Sequence, residues 1–112
     1  MVIHRAKTAG GKDLILEYID SLSNDESVDG YSVLELLEQE KYDELTIKPW
    51  QGKIQEVYFY KHNRIFYVVV DGDNMYLLHA CRKQKNRTEK RDSDIVIKRA
   101  KMLGKTLSKK FV

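Results

Sequence analysis

The stretch that decides the fold is Ile54–Arg82, which reads IQEVYFYKHNRIFYVVVDGDNMYLLHACR. Aromatic and β-branched residues dominate this stretch, and such residues favour β-strands. Turn-forming residues interrupt it twice, as KHN at 61–63 and as DGDN at 71–74, and this spacing is typical of hairpins. We therefore predict an antiparallel meander of three strands: Ile54–Tyr60, Arg64–Val70 and Met75–Arg82.

Helical patterns lie on both sides of the meander. Apolar residues recur at helical spacing between Leu14 and Leu22, and a second helix is predicted over 25–44. The residues expected to point inward from the second helix are Val28, Tyr31, Leu34, Leu37 and Leu45. A last helix is predicted over Asp92–Leu103, ended by Gly104, and Val2–Arg5 can form a short strand at the start of the chain.

This order of elements predicts an α+β fold in a single domain over residues 1–112. The expected architecture is an antiparallel β-sheet of three to four strands, with an N-terminal α-hairpin and a C-terminal helix. Because the helices can cover one face of such a sheet, we expect the other face to stay open to a long substrate.

Several classes of protein are disfavoured by the sequence. Cys81 is the single cysteine and cannot form an internal disulfide. The histidines His4, His62 and His79 lack the spacing of metal ligands, so no metal and no cofactor is predicted. The sequence has no signal-like segment and no apolar run that could span a membrane. The expected location is therefore the cytoplasm, and Cys81 is expected to be a small buried residue.

Charge is distributed unevenly along the chain. Residues 82–112 hold twelve lysines and arginines against three acidic residues, a net charge of +9. Residues 1–81 hold eight basic and fourteen acidic residues, a net charge of −6. A basic C-terminal quarter on an acidic body indicates either a polyanion-binding surface, with nucleic acid as the polyanion, or a solvated helix face.

Basic residues also flank two predicted strands of the meander. Arg64 begins the middle strand, while Arg82 and Lys83 end the strand that follows it. Since the start of one antiparallel strand lies beside the end of the next, we expect these three side chains to converge at one end of the sheet. Guanidinium groups form paired hydrogen bonds with phosphate, so the convergence favours a phosphate-binding site.

Four segments are similar to those of a known family. KPWQGKIQEV at 48–57 looks like the segment KPL-x-GKLWEL, and NRIFY at 63–67 like YRIFY. LLHACRKQ at 77–84 looks like LLHGFxKK, and NRTEKRD at 86–92 like QKTPKxE. In this order and spacing, over about residues 12–103, the sequence resembles the phage-derived RelE/HigB-like toxins of the RelE/ParE superfamily.

The resemblance implies the toxin of a type II toxin–antitoxin system. Such toxins act as ribosome-dependent mRNA endoribonucleases (mRNA interferases), and their partners are a helix-turn-helix antitoxin of the HigA type, mRNA and the ribosome. No metal would be needed, because the 2′-hydroxyl of RNA attacks the neighbouring phosphate. The products would be a 2′,3′-cyclic phosphate and a 5′-hydroxyl.

Such a reaction needs positive charge on the phosphate and groups that transfer protons. Arg64 is the candidate for stabilising the transition state, Arg82 and Lys83 for holding phosphates, and His62 for acting as base or acid. Candidate RNA-binding residues are Lys61, Lys85, Arg87, Tyr58 and Lys90. His79 is instead expected to pack in the sheet, on one face with Met75, Leu77 and Cys81.

Three departures from the family pattern keep other functions open. Gln84 stands where a second lysine is usual, Glu89 where proline is usual, and Tyr58 near a usual arginine or lysine. One alternative is a ParE-like toxin that binds gyrase and has no nuclease activity. Another is an RNA-binding accessory protein whose basic tail, residues 105–112, docks on ribosomal RNA.

Overall fold

A computed structural model describes residues 1–83 and 88–112 of the chain. Among these residues, the strands are β1 (Val2–Arg5), β2 (Thr46–Pro49), β3 (Gln55–Phe59), β4 (Asn63–Val69) and β5 (Asn74–Arg82). The helices there are α1 (Leu14–Asp20), α2 (Asn24–Glu38) and α3 (Lys90–Leu107), with a 3₁₀ turn at Tyr42–Glu44. None of these helices combines the length and the apolar character needed to cross a membrane.

The strands form one mixed sheet in the order β1-β5-β4-β3-β2. The predicted meander is confirmed as β3, β4 and β5, and β1 pairs parallel to β5. The predicted α+β class is also confirmed, although the described residues form five strands rather than three to four. Strand β2 was not predicted, because it is short and ends at Pro49, and proline lacks the N–H that a central strand needs. An edge strand tolerates that residue.

Helices cover both faces of the sheet, so the expectation of one open face is wrong. One face, termed the hairpin face, packs against α1 and α2, and the other, termed the α3 face, packs against α3 and Phe111. The buried residues of the hairpin-face core are Ile15, Ile19, Val33, Leu37, Val57, Phe59, Ile65, Tyr67, Met75, Leu77 and Ala80. Those of the α3-face core are Ile54, Phe66, Val68, Leu78, Cys81, Val96, Ala100 and Phe111.

A β-bulge in β5 changes which residues face each side of the sheet. Phe66 pairs with His79, whereas the next residue, Tyr67, pairs with Leu77, so Leu78 is the extra residue. An extra residue exchanges the two faces for everything that follows it in the strand. Leu77 therefore belongs to the hairpin face, while His79 and Cys81 point toward α3. The predicted single face of Met75, Leu77, His79 and Cys81 is wrong for this reason.

The second helix is shorter than predicted and buries a different face. It stops six residues before the predicted end at residue 44, and Val28 and Tyr31 are exposed rather than inward. Its buried residues are Gly30, Val33 and Leu37. An ideal Cβ at residue 30 would lie 3.0 Å from both the Ile19 and the Phe59 side chain. The close approach at glycine thus sets the orientation of α2.

The C-terminal segment is part of the core. Helix α3 continues through Gly104, which was predicted to end it, and closes at Ser108 in the left-handed conformation. The backbone N–H of Lys109 then donates to the carbonyl of Gly104 at 2.9 Å. Phe111 is buried, and its carbonyl accepts the N–H of Lys53 at 2.7 Å.

We expect Gly104→Ala to lower the free energy of unfolding by about 1–3 kcal/mol. A Cβ at residue 104 would lie 2.4 Å from the carbonyl oxygen of Lys109, a backbone atom that cannot turn aside. This clash outweighs the roughly 1 kcal/mol of helix propensity that alanine adds. Urea unfolding measures the effect, with Gly72→Ala as the control, because a Cβ there meets no described atom within 4 Å. Equal midpoints for the two variants would contradict the expectation.

Candidate functional site

Arg64 is a buried, ion-paired residue on the α3 face. Its side chain is 3% exposed, and its Nη1 donates to Oε2 of Glu56 at 2.7 Å. The same nitrogen donates to Oγ1 of Thr88 at 3.1 Å, and the guanidinium lies over the Phe66 ring. Its Nε has no hydrogen-bond partner among the described residues. Arg64 is therefore enclosed in the sheet and is not an exposed group at its edge.

Glu56 connects Arg64 to the protein surface. Its carboxylate is also buried, and its Oε1 accepts a hydrogen bond from the hydroxyl of Tyr58. Burial, together with this neighbouring carboxylate, raises the pKa of Tyr58 to about 12. The hydroxyl therefore stays protonated near neutral pH and remains a hydrogen-bond donor. Arg64, Glu56 and Tyr58 are termed the Arg64 network below.

A groove with a cationic rim lies at the outer end of the Arg64 network. The ammonium groups of Lys48 and Lys83 lie 5.3 and 5.1 Å from the centre of the Tyr58 ring, within the range of cation–π attraction. The groove has a volume of about 380 Å³, and its lining residues are Thr46, Lys48, Tyr58, Phe59, Tyr60, Lys61 and Lys83. None of these described lining residues is acidic. This lysine groove therefore combines positive charge with aromatic surface.

Arg82 lies on the face opposite to Arg64, so the predicted convergence of the three cations is wrong for this residue. In the register of β4 and β5, the partner of Arg64 is Cys81, and cross-strand partners share a face. Arg82 points to the hairpin face, where its Nη2 donates to Oε2 of Glu26 on α2 at 2.8 Å. Lys83, the next residue, reaches Tyr58 on the α3 face. The bulge causes this choice of face.

The turn between β3 and β4 carries two further candidates, Lys61 and His62. Tyr60 and Lys61 have φ angles of 41° and 65°, and the N–H of Tyr60 is held by Asp29 Oδ2 at 2.7 Å. The turn brings Lys61 to the wall of the lysine groove. His62 is exposed, and its carbonyl accepts the N–H of Lys83, but His62 is not among the described residues that line the lysine groove.

The remaining RNA-binding candidates differ in placement. Lys90 begins α3 and forms an exposed ion pair with Asp94 at 2.8 Å. This hydrogen bond raises the pKa of Lys90, and Lys90 is not among the described residues that line the lysine groove. Lys85 and Arg87 lie outside the described residues, as does Gln84.

His79 links β5 to α3 through hydrogen bonds. Its Nε2 lies 2.8 Å from Oδ1 of Asp92, and its Nδ1 lies 3.4 Å from Nη1 of Arg99. Because arginine can only donate, Nδ1 must accept, so the proton sits on Nε2 and is donated to Asp92. Burial lowers the pKa of His79, although the Asp92 carboxylate partly opposes this effect. The predicted packing role of His79 is confirmed.

Cys81 is buried, as predicted, and burial raises the pKa of its thiol to about 12. Donor atoms of His79, Cys81 and Asp92 all lie within 4.8 Å of one another, a set that could hold a metal ion. The histidine spacing alone could not reveal this set, because the third member comes from α3. Arg99 contacts His79, and the charge of Arg64 acts on Cys81. These two guanidinium groups would repel a divalent cation.

Two residues of the site, Glu56 and Lys48, were not predicted from the sequence. Glu56 lies on the same face of the predicted strand as Ile54 and Tyr58. An acidic residue on a buried strand face generally has a cationic partner, so this position could have identified Glu56 as a partner for Arg64. Lys48 lies on β2, which the sequence pattern did not reveal.

Glu56→Ala is expected to lower the free energy of unfolding by about 3–5 kcal/mol, because it leaves the buried guanidinium of Arg64 without its counter-ion. Removing both charges, as Glu56→Leu with Arg64→Met, should cost less than the single change, since no uncompensated charge remains. Urea unfolding of the two variants measures the difference. A double variant that is less stable than Glu56→Ala would contradict this account of the pair.

Stability should fall as the pH decreases from about 7 to 5, and part of this slope should come from His79. Its pKa lies below the usual 6.5 in the folded state, so the unfolded chain binds a proton that the folded chain does not. His79 therefore contributes fully to the free energy of unfolding above about pH 6.5, and this contribution is lost as the pH falls below that value. His79→Gln should therefore give a shallower slope in urea unfolding over this range. Parallel slopes for the two proteins would show that His79 is not the source.

Comparison with protein-family models matches residues 17–101 to the phage-derived Gp49-like proteins (DUF891). A search of curated proteins finds no match. The matched segment covers well over half of the 112 residues and includes the lysine groove and the Arg64 network. The family is toxin-like, and a toxin-like family implies an antitoxin partner. The chain therefore belongs to the family of phage-derived Gp49-like proteins.

Proposed function

We propose that this protein is the toxin of a type II toxin–antitoxin pair and that it cleaves mRNA on the ribosome. The observation that carries the proposal is the lysine groove, where Lys48 and Lys83 flank Tyr58 directly above a buried arginine–glutamate pair. A pocket of this charge suits a phosphodiester backbone. The toxin-like family supports the same reading.

Binding of RNA would use charge and stacking together. Lys48, Lys61 and Lys83 line one groove, and ammonium groups there can contact successive phosphates. Tyr58 is partly exposed between two of these lysines, so a base could stack on its ring when the lysines turn to the phosphates. Aromatic stacking on unpaired bases is a common element of RNA recognition.

In the proposed reaction, the 2′-oxygen bonds to phosphorus while the bond from phosphorus to the 5′-oxygen breaks. The 2′-hydroxyl gives its proton to a base, and the leaving 5′-oxygen takes a proton from an acid. Lys83 would stabilise the negative charge that develops on the phosphate oxygens. His62, whose carbonyl accepts the N–H of Lys83, would serve as the proton carrier, because an imidazole ring has one nitrogen that can accept a proton and one that can donate one.

Arg64 would act through its neighbours. Its buried guanidinium holds the Glu56 carboxylate, which in turn accepts the Tyr58 hydroxyl. Arg64 would therefore position Tyr58 in the floor of the groove, in place of the direct contact with phosphate that the sequence analysis expected. Arg82 has no part in the proposed site, since its ion pair with Glu26 lies on the other face.

A toxin of the ParE type, which binds gyrase without cleaving RNA, is the second candidate. The observation in its favour is the burial of Arg64 in an ion pair, which leaves the groove without an arginine directed at the phosphate among the described residues. The accessory-protein alternative is less favoured, because its proposed tail contains Phe111, which is buried in the α3-face core.

We expect Lys83→Met to reduce mRNA cleavage by about 100-fold, whereas Arg82→Met should change it less than about threefold. The two variants remove equal charge from adjacent residues, and only Lys83 reaches the lysine groove. The measurement is cleavage of an mRNA by the purified protein with ribosomes, mapped by primer extension, with the ends tested for a 2′,3′-cyclic phosphate.

Growth arrest on induction should follow the same order, with Lys83→Met harmless and Arg82→Met toxic. Equal loss of cleavage in both variants would contradict the placement of the site. If the natural chain leaves ribosome-bound mRNA intact while induction causes gyrase-linked DNA breaks, the nuclease proposal is wrong and the ParE-like alternative replaces it.

A further inference from the structure

A second and larger groove runs between β1 and α3. Its volume is about 830 Å³, and it shares no lining residue with the lysine groove. Its lining residues include Ile3, His4 and Leu14 on one side and Ile95, Met102 and Leu103 on the other. Because β1 is the edge strand of the sheet, no further strand formed by the described residues lies outside this groove. It is termed the β1–α3 groove.

Apolar side chains make up more than half of the residues that line the β1–α3 groove. His4 and Tyr76 stack there with ring centres 4.2 Å apart. Met102 on α3 also lines the groove and is 60% exposed. Methionine adapts its shape to a partner and is common at interfaces that bind helices.

The rim of the β1–α3 groove is basic. The charged residues among its described lining are Arg5, Lys7, Lys98 and Arg99, and none of them is acidic. Arg5 is neutralised by Asp13 at 2.6 Å, and Arg99 donates to a backbone carbonyl at 2.8 Å. Lys7 and Lys98, which are exposed, therefore give the rim its positive potential.

The α3 wall has the repeat of a helix-packing surface. Its lining residues run from Ile95 to Thr106 at spacings of three and four, and this stretch of helix is about 16 Å long at 1.5 Å per residue. A partner helix of about three turns would match that length. Its apolar residues would meet Met102 and Leu103, and acidic residues on its flanks would meet Lys7 and Lys98.

We propose that the β1–α3 groove binds an acidic amphipathic helix, contributed by the antitoxin partner of this chain. The identity of the partner rests on the proposed function, whereas the chemistry of the helix rests on the groove itself. An RNA backbone fits less well, because two of the four lining cations, Arg5 and Arg99, are already engaged within the protein. Since the two grooves share no lining residue, a helix bound here would leave the lysine groove uncovered.

The test uses the full chain labelled with ¹³C at the methionine methyl groups. The probe is a capped synthetic helix of 18 residues, with leucines on one face and glutamates on the flanks, and a second peptide carries lysine in place of glutamate. Met102 reports on the groove, and Met75, fully buried in the hairpin-face core, serves as the internal reference. The acidic peptide should shift the Met102 methyl resonance and leave Met75 unchanged, and the lysine peptide should shift neither.

Matched variants locate the binding. Lys98→Glu should weaken affinity for the acidic peptide at least about tenfold. Lys101→Glu, the same charge change at an exposed position of α3 outside the groove lining, should weaken it less than about threefold. Equal effects of the two variants would indicate non-specific attraction and overturn the proposal, as would an unshifted Met102.

Two further outcomes would assign the groove to another occupant and overturn the proposal. A Met102 shift that depends on protein concentration alone would indicate a second copy of the chain. A Met102 shift caused by poly(U) RNA, but not by the acidic peptide, would indicate nucleic acid. Failure of the nuclease proposal would be seen separately, because the peptide experiment contains no RNA and Lys98→Glu should leave mRNA cleavage unchanged.

Discussion

The ion pair between Arg64 and Glu56 is the constraint on which the functional surface depends. Two charges are removed from water inside the α3 face, and such burial is tolerated only when each charge meets the other at close range. The pair joins β3 to β4, and through Thr88 it also contacts the chain just before α3. Trp50 donates to the same threonine hydroxyl. The interior of the sheet thus fixes the floor of the lysine groove, while the lysines at its rim remain exposed or partly exposed.

Much of the fold could be predicted from local patterns in the sequence, whereas the arrangement of the site could not. Alternation and turn residues identify β3, β4 and β5, because those signals act over a few neighbouring residues. Burial of Arg64 depends on Glu56, which is eight residues away in sequence but lies on the same face of the neighbouring strand β3. Which of the two residues Arg82 and Lys83 faces α3 depends on one extra residue in β5, and this extra residue has no clear mark in the sequence. Strand β2 was hidden because edge strands need little hydrophobicity.

The molecule divides its charge between its surfaces. Helices α1 and α2 are rich in acidic residues and bear the exposed side of the hairpin face, whereas both grooves have basic rims. This division explains how a chain with a net charge of only +3 can present strongly positive local surfaces. The two grooves also lie at opposite sides of the sheet, one at the β2 side and the other at the β1 side. Occupation of one groove would therefore leave the other accessible.

The extra residue at Leu78 has a consequence for how relatives of this chain are compared. With regular pairing through β5, even-numbered residues would continue to face α3, and an arginine would enter the lysine groove where a lysine now stands. A relative without the extra residue would need its basic residue one position earlier to present the same ammonium group. Alignments should therefore place a gap inside this strand, since matching the basic residues by column alone would equate side chains on opposite sides of the sheet.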